Sequence, residues 1–256
     1  MTNQSPQSVR LNKFLAERLG VSRREADELI SAGKVTVNDK TAVLGTKIDE
    51  KSKICYNGKI VPFSTNYIYL AFHKPIGYVC SRRAQGSAPT LYDLLPAKYR
   101  RLKTVGRLDK DSSGLILLTN DGDFAFQMTH PKFRKTKIYE VELDQPLQPL
   151  HQQMISDYGV MLDDGVSQFK VIRKDLTWTG DGPGGGPPKL PDNFGGGEGP
   201  AGPVQSYTVV LTEGRNRQIR RTFAALGYKV VKLHRTNFGK YELGDLKAGS
   251  LVEIKI

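Results

Sequence analysis

The sequence predicts an α+β protein with two domains, and three observations lead to this prediction. The chain has 256 residues, of which 38% are hydrophobic, so it can bury more than one core. Residues 8–60 combine two short amphipathic helices with a strand pattern. Near Val61 the pattern changes, and residues 61–256 mix several strands with short helices. We therefore expect a small first domain over 8–60 and a larger second domain over 61–256.

Two short helices are predicted at the start of the first domain. The first is indicated by four apolar residues on one helical face, Leu11, Phe14, Leu15 and Leu19. Gly20 is suited to end this helix. Ser22 and Glu25 have the spacing of a capping box that begins the second helix, which should end near Gly33. The alternating pattern of residues 34–40 then predicts a strand followed by a turn.

The second domain is predicted to consist mainly of strands. Strand patterns occur at residues 67–73, 115–118, 136–143, 168–172 and 207–211. Helical patterns occur at 123–128 and 217–226, and Gly227 ends the second of them.

Residues 180–203 are a composition outlier inside the second domain. They contain ten glycines and six prolines in 24 positions, which predicts a flexible insertion at a hairpin tip. An RNA-binding arm is the alternative, but such arms need basic charge and stacking rings. Lys189 is the only cation of the tract and Phe194 its only aromatic residue, so we favour a passive insertion.

The charge of the chain points to a polyanionic partner. The formal net charge is +12. It is concentrated in two segments, residues 98–137 with a net charge of +6 and residues 213–240 with a net charge of +7. A solvated helix surface would mix both signs instead. Nucleic acid is therefore the partner that the sequence predicts.

Other classes of protein fit the composition poorly. No apolar run approaches the ~20 residues needed to span a bilayer. The polar first residues lack the basic start and apolar core of a signal peptide, so we expect a cytoplasmic protein that does not bind membranes. Cys55 and Cys80 are too few and too isolated for a disulfide framework or a zinc site.

Asp109 is the candidate catalytic residue. It lies between Arg107 and Lys110, ahead of the buried strand predicted at 115–118 and a turn at 120–122. One carboxylate is thus placed among cations on a fixed scaffold at the rim of a sheet, where a nucleophile or a general base would be positioned. Considered alone, the same residue could simply form a turn or cap a helix.

Several motifs resemble known families. The first domain resembles the S4 RNA-binding domain at residues 10–15, 21–26 and 31–38. In the second domain, three segments are similar to motifs of the RsuA/RluB/RluE/RluF family of ribosomal RNA pseudouridine synthases, namely residues 106–122, 137–141 and 213–221. The resemblance covers nearly the whole chain, and the tract at 180–203 departs from it.

This resemblance implies a fold and a reaction. The fold would be an S4-like domain followed by a pseudouridine synthase domain built on a mixed, mainly antiparallel sheet. The enzyme would isomerise a uridine of ribosomal RNA to pseudouridine with no cofactor and no metal. Asp109 matches the essential aspartate of the family. Whether it attacks the sugar, attacks the base or removes a sugar proton stays open.

The resemblance also implies roles for the residues around Asp109. The family pattern pairs its carboxylate with the position of Arg220, packs Tyr139 on the target base and places Arg107 in the gap left by a flipped nucleotide. RNA contacts are expected from cations of both domains, Lys13, Arg23, Arg24, Lys34, Arg215, Arg217 and Arg221. The partner would be ribosomal RNA, naked or in a partly assembled subunit, and the enzyme would be a monomer.

Two other functions are alternatives to this interpretation. A non-catalytic S4-type RNA-binding or ribosome-assembly factor would bind RNA without modifying it, but the presence of Asp109, Tyr139 and Arg220 argues against it. A nuclease could bind Mg²⁺ through four carboxylates, those of Asp109, Asp111, Asp121 and Asp123. Residues 121–123 are better explained as a turn followed by a helix cap.

Overall fold

The fold is described by a computed structural model that covers residues 8–64, 66–82, 86–173 and 205–256. It is an α+β fold, as the sequence predicts. The tract predicted to be a flexible insertion, residues 180–203, lies outside the described residues. Within the described part of the chain, no helix is long and apolar enough to cross a membrane.

Helices are short throughout the described residues. The α-helices are α1 (Leu11–Arg18), α2 (Arg23–Ser31), α3 (Gly122–Thr129), α4 (Pro149–Gln153) and α5 (Gln218–Ala225). Helix α4 continues into one π-helical turn at Met154–Tyr158. Short 3₁₀ turns lie at Leu91–Leu94, Ala97–Tyr99 and Pro131–Phe133.

Strands make up most of the regular structure. Those before residue 61 are β1 (Val9–Arg10), β2 (Val35–Val37), β3 (Lys40–Thr41), β4 (Lys47–Ile48), β5 (Ile54–Tyr56) and β6 (Lys59–Ile60). Those that follow are β7 (Tyr69–Lys74), β8 (Lys103–Val105), β9 (Ser113–Thr119), β10 (Lys137–Leu143), β11 (Val160–Leu162), β12 (Gly165–Ser167), β13 (Lys170–Arg173), β14 (Gln205–Leu211), β15 (Val230–Phe238), β16 (Tyr241–Glu242) and β17 (Leu251–Glu253).

Helices α1 and α2 pack over a small sheet near the N-terminus. The sheet has the strand order β3-β2-β5-β6, and β1 pairs separately with β4. Helices and strands share one apolar core, which includes Phe14, Ile30 and Ile54. The predicted capping box of α2 is confirmed, because the Glu25 amide donates to the Ser22 hydroxyl and the Ser22 amide donates to the Glu25 carboxylate.

One large sheet organises the rest of the described chain. Its order is β13-β14-β10-β15-β9-β7-β17, with β16 added to β15 and β8 added to β9. The pairing of β15 with β9 is parallel, and the other pairings described in this sheet are antiparallel. Strand β9 is buried along its whole length, which requires cover on both faces. The expectation of a mixed, mainly antiparallel sheet is therefore confirmed.

The parallel pair comes into unusually close contact at Gly114. This residue lies opposite Arg235 in the register, with a φ of +109°. A Cβ atom at position 114 would lie 2.2 Å from the carbonyl oxygen of Arg235. Only glycine therefore lets β15 lie against β9 at this point. The contact fixes the backbone of Arg235 beside the start of β9, the strand that follows the loop of Asp109.

The nine-residue strand β15 is not predicted by the sequence. Its segment contains Lys232, His234 and Arg235, which interrupt the alternation of apolar residues that identifies a strand. In the structure the Arg235 residue is only 1% exposed, at a position where an apolar side chain would be expected. Pairing on both edges stabilises β15 in spite of this composition.

We expect Gly114→Ala to lower the free energy of unfolding by about 2 kcal/mol or more, because the new methyl group would overlap backbone atoms of Arg235. Gly227→Ala is the matched control. The φ of Gly227 is also positive, +86°, but its added Cβ would meet no atom of the described residues within 4 Å. Urea unfolding measures both variants. Equal losses would mean that backbone conformation alone, and not the close approach of the strands, requires glycine at position 114.

Candidate active site

A cavity of about 330 Å³ lies where the loop 106–112 meets β10, β15 and the segment that precedes α5. Its lining includes five residues with charged or aromatic side chains: Arg107, Asp109, Tyr139, Arg217 and Arg235. The three motifs that are far apart in the sequence therefore meet in one pocket. The volume is within the range of pockets that bind small molecules, about 300–1,000 Å³.

The loop that carries Asp109 is fixed by the buried ammonium group of Lys74. Lys74 is fully buried at the end of β7. Its Nζ donates to the carbonyl oxygens of Pro75 and Asp109, each at 3.0 Å, and of Ser112 at 2.7 Å. The Ser112 amide donates in turn to the Asp109 carbonyl at 3.1 Å. Burial lowers the pKa of Lys74, and the three carbonyls replace part of the hydration that the ammonium has lost.

The nearest guanidinium group to the Asp109 carboxylate is that of Arg217. Its Nη1 lies 3.7 Å from Oδ2 of Asp109, whose side chain is 22% exposed. The family resemblance had implied Arg220 as this partner. In the structure Arg220 instead binds Asp111, donating from Nη2 to the Asp111 carbonyl at 2.8 Å and placing Nε 3.2 Å from Oδ2. Arg220 therefore contacts Asp111, two positions along the loop from Asp109.

The backbone at the start of α5 explains why Arg217 takes this position. Arg217 is the N-cap residue and has a left-handed conformation, φ +46° and ψ +32°, which is unusual for a residue other than glycine. The guanidinium donates to both oxygens of Asp111, at 2.9 and 3.0 Å. These hydrogen bonds lower the pKa of Asp111. Arg220 lies one turn further on and also donates to the carbonyl of Val230 at 2.8 Å.

Tyr139 forms part of the cavity wall, and Arg235 supports it from the neighbouring strand. The two residues are register partners on β10 and β15. The Arg235 guanidinium carbon lies 6.0 Å from the centroid of the Tyr139 ring and 4.9 Å from that of Phe238. Its Nε donates to the Leu115 carbonyl at 2.8 Å, while Nη2 is buried with no hydrogen-bond partner among the described residues. Sequence reasoning missed Arg235, because Lys232 and His234 in the same segment hide any signal of a buried arginine.

Two of the predicted RNA-binding arginines are bonded within the protein. Arg215 donates to the carbonyls of Asp164, Gly165 and Val166 at 2.8–3.1 Å and to the Asp164 carboxylate at 2.9 Å. Arg221 binds the carboxylates of Asp163 and Asp164. Both guanidinium groups therefore hold the turn between β11 and β12 beside α5.

The predicted RNA-binding cations of the N-terminal region divide into two groups. Lys13 donates to both oxygens of Asp123, which lies in α3, so its ammonium joins α1 to the larger domain. Arg23, Arg24 and Lys34 are exposed to solvent.

The four aspartates of the nuclease hypothesis do not form a metal site. Asp121 caps α3 by accepting hydrogen bonds from the amides of Asp123 and Phe124, and it also accepts one from the Tyr69 hydroxyl at 2.7 Å. Asp123 is paired with Lys13. No group of three or more His, Cys, Asp or Glu residues in the described part of the chain could hold a metal ion. The interpretation of residues 121–123 as a turn and helix cap is confirmed.

Comparison with protein families gives two matches. The RNA pseudouridylate synthase family matches residues 68–225, which include the loop of Asp109, strand β10 and helix α5. The S4 domain matches residues 9–54.

Individual relatives and one solved structure extend these matches over most of the chain. The chain is 34% identical over 241 residues to the ribosomal small subunit pseudouridine synthase A of Pasteurella multocida (strain Pm70), covering 93% of this chain and 91% of the relative. It is 35% identical over 243 residues to the ribosomal large subunit pseudouridine synthase B of Escherichia coli (strain K12), covering 92% and 75%. A crystal structure of a pseudouridylate synthase superposes with a TM-score of 0.61 and 28% identity, covering 97% and 96%.

We expect Lys74→Met to lower the free energy of unfolding by about 2–3 kcal/mol, because three carbonyl groups would lose their donor in a buried site. Lys103→Met is the control, since Lys103 is half-buried and donates to a single carbonyl, that of Val21, at 3.3 Å. Urea unfolding gives the stability, and hydrogen exchange of residues 106–112 reports the order of the loop. Unchanged exchange in this loop would rule out the role assigned to Lys74.

Proposed function

The chain belongs to the RNA pseudouridylate synthase family, and we propose that it converts a uridine of ribosomal RNA to pseudouridine with Asp109 as the catalytic residue. The observation that carries the assignment of the site is the single pocket in which the Asp109 carboxylate, the Tyr139 ring and several guanidinium groups converge. The relatives named above act on small-subunit and large-subunit ribosomal RNA by name. Their names support ribosomal RNA as the substrate class.

The reaction is an isomerisation whose atoms balance without a cofactor. The bond between N1 and C1′ breaks, the base turns in the pocket, and C5 bonds to C1′. The proton released from C5 is matched by the one gained at N1. Asp109 acts as a nucleophile or as a base, and both roles need the ionised carboxylate. The positive charge of Arg217, 3.7 Å from Oδ2, lies where it balances that negative charge.

The target uridine reaches this pocket by leaving its stack in the RNA. Tyr139 then provides an aromatic surface for the flipped base, and Arg235 holds the ring from behind. Arg107 is exposed at the rim of the cavity, where it fills the gap left in the RNA.

A non-catalytic RNA-binding protein would not require this arrangement. Such a protein could keep an S4-like surface, but it would gain nothing from a carboxylate loop held by a fully buried lysine. The buried charge of Lys74 and the left-handed backbone of Arg217 both lower the stability of the fold. Backbone strain of this kind is typical of functional sites.

The S4-like domain, residues 8–60, is proposed to bind RNA outside the pocket. Arg23 and Arg24 on the first turn of α2, and Lys34 before β2, are the exposed cations that support this. The enzyme is proposed to act as a monomer. We place its activity in the cytoplasm, on naked ribosomal RNA or on a partly assembled subunit.

We expect Asp109→Asn to reduce pseudouridine formation by about three orders of magnitude or more, because the amide keeps the shape of the side chain and loses its charge. Tritium release from ribosomal RNA transcribed with 5-tritiated uridine measures the rate. Asp111→Asn is the control, because Asp111 is bound to Arg217 and Arg220 and is given no chemical step; it should keep measurable turnover. Substantial turnover by Asp109→Asn would remove Asp109 from the mechanism.

Arg23→Gln combined with Arg24→Gln should weaken RNA binding and reduce the slope of log Kd against log salt concentration by about 1.5, since each lost phosphate contact contributes roughly 0.7–0.9. Lys13→Gln should leave that slope nearly unchanged, because the Lys13 ammonium is already bound to Asp123. Filter binding across a salt series measures all three proteins. An unchanged slope in the double variant would place α2 away from the RNA.

A further inference from the structure

A cluster of exposed aromatic rings lies outside the machinery described above. The cluster consists of Phe126 in α3, His130 directly after this helix, and Phe133 in the following 3₁₀ turn, and we call it the aromatic platform. Their ring centroids are 4.6, 5.8 and 6.4 Å apart. Phe126 is 44% exposed and Phe133 is 38% exposed. Exposure of several neighbouring aromatic rings to water is unfavourable, and such patches mark surfaces that bind a ligand or a partner.

The platform is held in shape by its own backbone. The Lys132 amide donates to Nδ1 of His130 at 3.3 Å, and Pro131 occupies the first position of the 3₁₀ turn. The turn ends at Arg134 in a left-handed conformation, with a φ of +45°. Non-glycine residues rarely adopt this conformation. The rings are thus presented on an ordered surface.

The platform also carries positive charge and no negative charge. Between residues 124 and 137 the chain has four cations and no acidic residue. The Lys132 Nζ lies 5.2 Å from the centroid of the Phe126 ring and 4.7 Å from that of Phe133. Arg134 is exposed beside them. Aromatic rings interleaved with cations are the combination that binds single-stranded nucleic acid, through base stacking and phosphate contacts.

The platform adjoins the catalytic cavity. Thr129 and Pro131, which flank His130, are lining residues of the cavity together with Asp109. The Thr129 methyl group also lies 3.5 Å from the Cβ position of Gly106, at the start of the catalytic loop. A nucleotide next to a uridine in the cavity would therefore reach the platform.

We propose that the aromatic platform stacks an unpaired nucleobase next to the target uridine, so that the enzyme selects a uridine in a single-stranded segment of RNA. This rests on the proposed function and adds the substrate form to it. Stacking tolerates any base, because each base has a π face. A uridine inside a continuous duplex would offer the platform no free base and would be a poor substrate.

The test compares binding of two RNA probes by the full-length protein. One probe is a short unstructured RNA containing a single 2-aminopurine, and the other is a duplex of the same length. The variant is Phe126→Leu with Phe133→Leu. We expect its Kd for the single strand to rise about tenfold or more at fixed salt, with an unchanged salt slope, an unchanged Kd for the duplex, and loss of the 2-aminopurine quenching that the wild type produces.

Two controls separate stacking from effects on folding. Phe126→Tyr with Phe133→Tyr keeps the rings and should restore single-strand affinity. Tyr158→Leu removes an aromatic side chain that is 73% exposed and does not line the cavity, and it should leave the affinity unchanged.

The outcomes distinguish this proposal from the proposed function. Wild-type single-strand affinity in the leucine variant, or equal losses for both probes, would overturn the platform proposal even if the wild type forms pseudouridine. Failure of the wild type to release tritium from transcribed ribosomal RNA would instead overturn the proposed function, whatever the binding results.

Discussion

The close approach of β9 and β15 at Gly114 is the constraint on which the catalytic pocket depends. Strand β9 follows directly on the loop of Asp109, and β15 follows helix α5, whose N-cap residue is Arg217. Their parallel pairing therefore brings two distant parts of the sequence to the same edge of the sheet. A side chain at position 114 would push the strands apart. The distance between Asp109 and Arg217 would then no longer be fixed by the backbone.

The carboxylates of Asp109 and Asp111 have different contacts with the surrounding arginines. Asp111 accepts two hydrogen bonds from Arg217 and lies against Arg220, so its charge is fully engaged. Asp109 has a contact with Arg217 at 3.7 Å, which is longer than a hydrogen bond. Its oxygens therefore keep the capacity to react with a substrate, while Asp111 orients the guanidinium that faces it. Lys74 holds the backbone of this loop by donating to the carbonyls of Asp109 and Ser112.

Local signals in the sequence predicted local structure well. The capping box at Ser22 and the burial of residues 115–118 needed no knowledge of the rest of the fold, and both are confirmed. Strand β15 and the burial of Arg235 could not be predicted, because the contacts of this arginine are with the Leu115 carbonyl and the rings of Tyr139 and Phe238, which the fold brings together. The pairing of Asp109 with Arg220 stays a prediction, while the structure places the Arg217 guanidinium 3.7 Å from the Asp109 carboxylate. The left-handed conformation of Arg217 decides which arginine faces the Asp109 carboxylate. This conformation cannot be predicted from the residue type.

The total of 38 lysines and arginines overstates the number of RNA contacts, because several of these cations are bonded within the protein. The charges of Lys13, Arg215 and Arg221 are satisfied by carboxylates and carbonyls of the same chain. The pocket would contact only the uracil base. Because uracil occurs throughout RNA, contacts in the pocket cannot distinguish one uridine from another. Selection must come from surfaces that contact the neighbouring nucleotides. The exposed cations of α2 and the aromatic platform lie outside the pocket, where such contacts would be made. If these surfaces bind RNA as proposed, the target of such an isomerase could change through its surface while the loop of Asp109 stays the same.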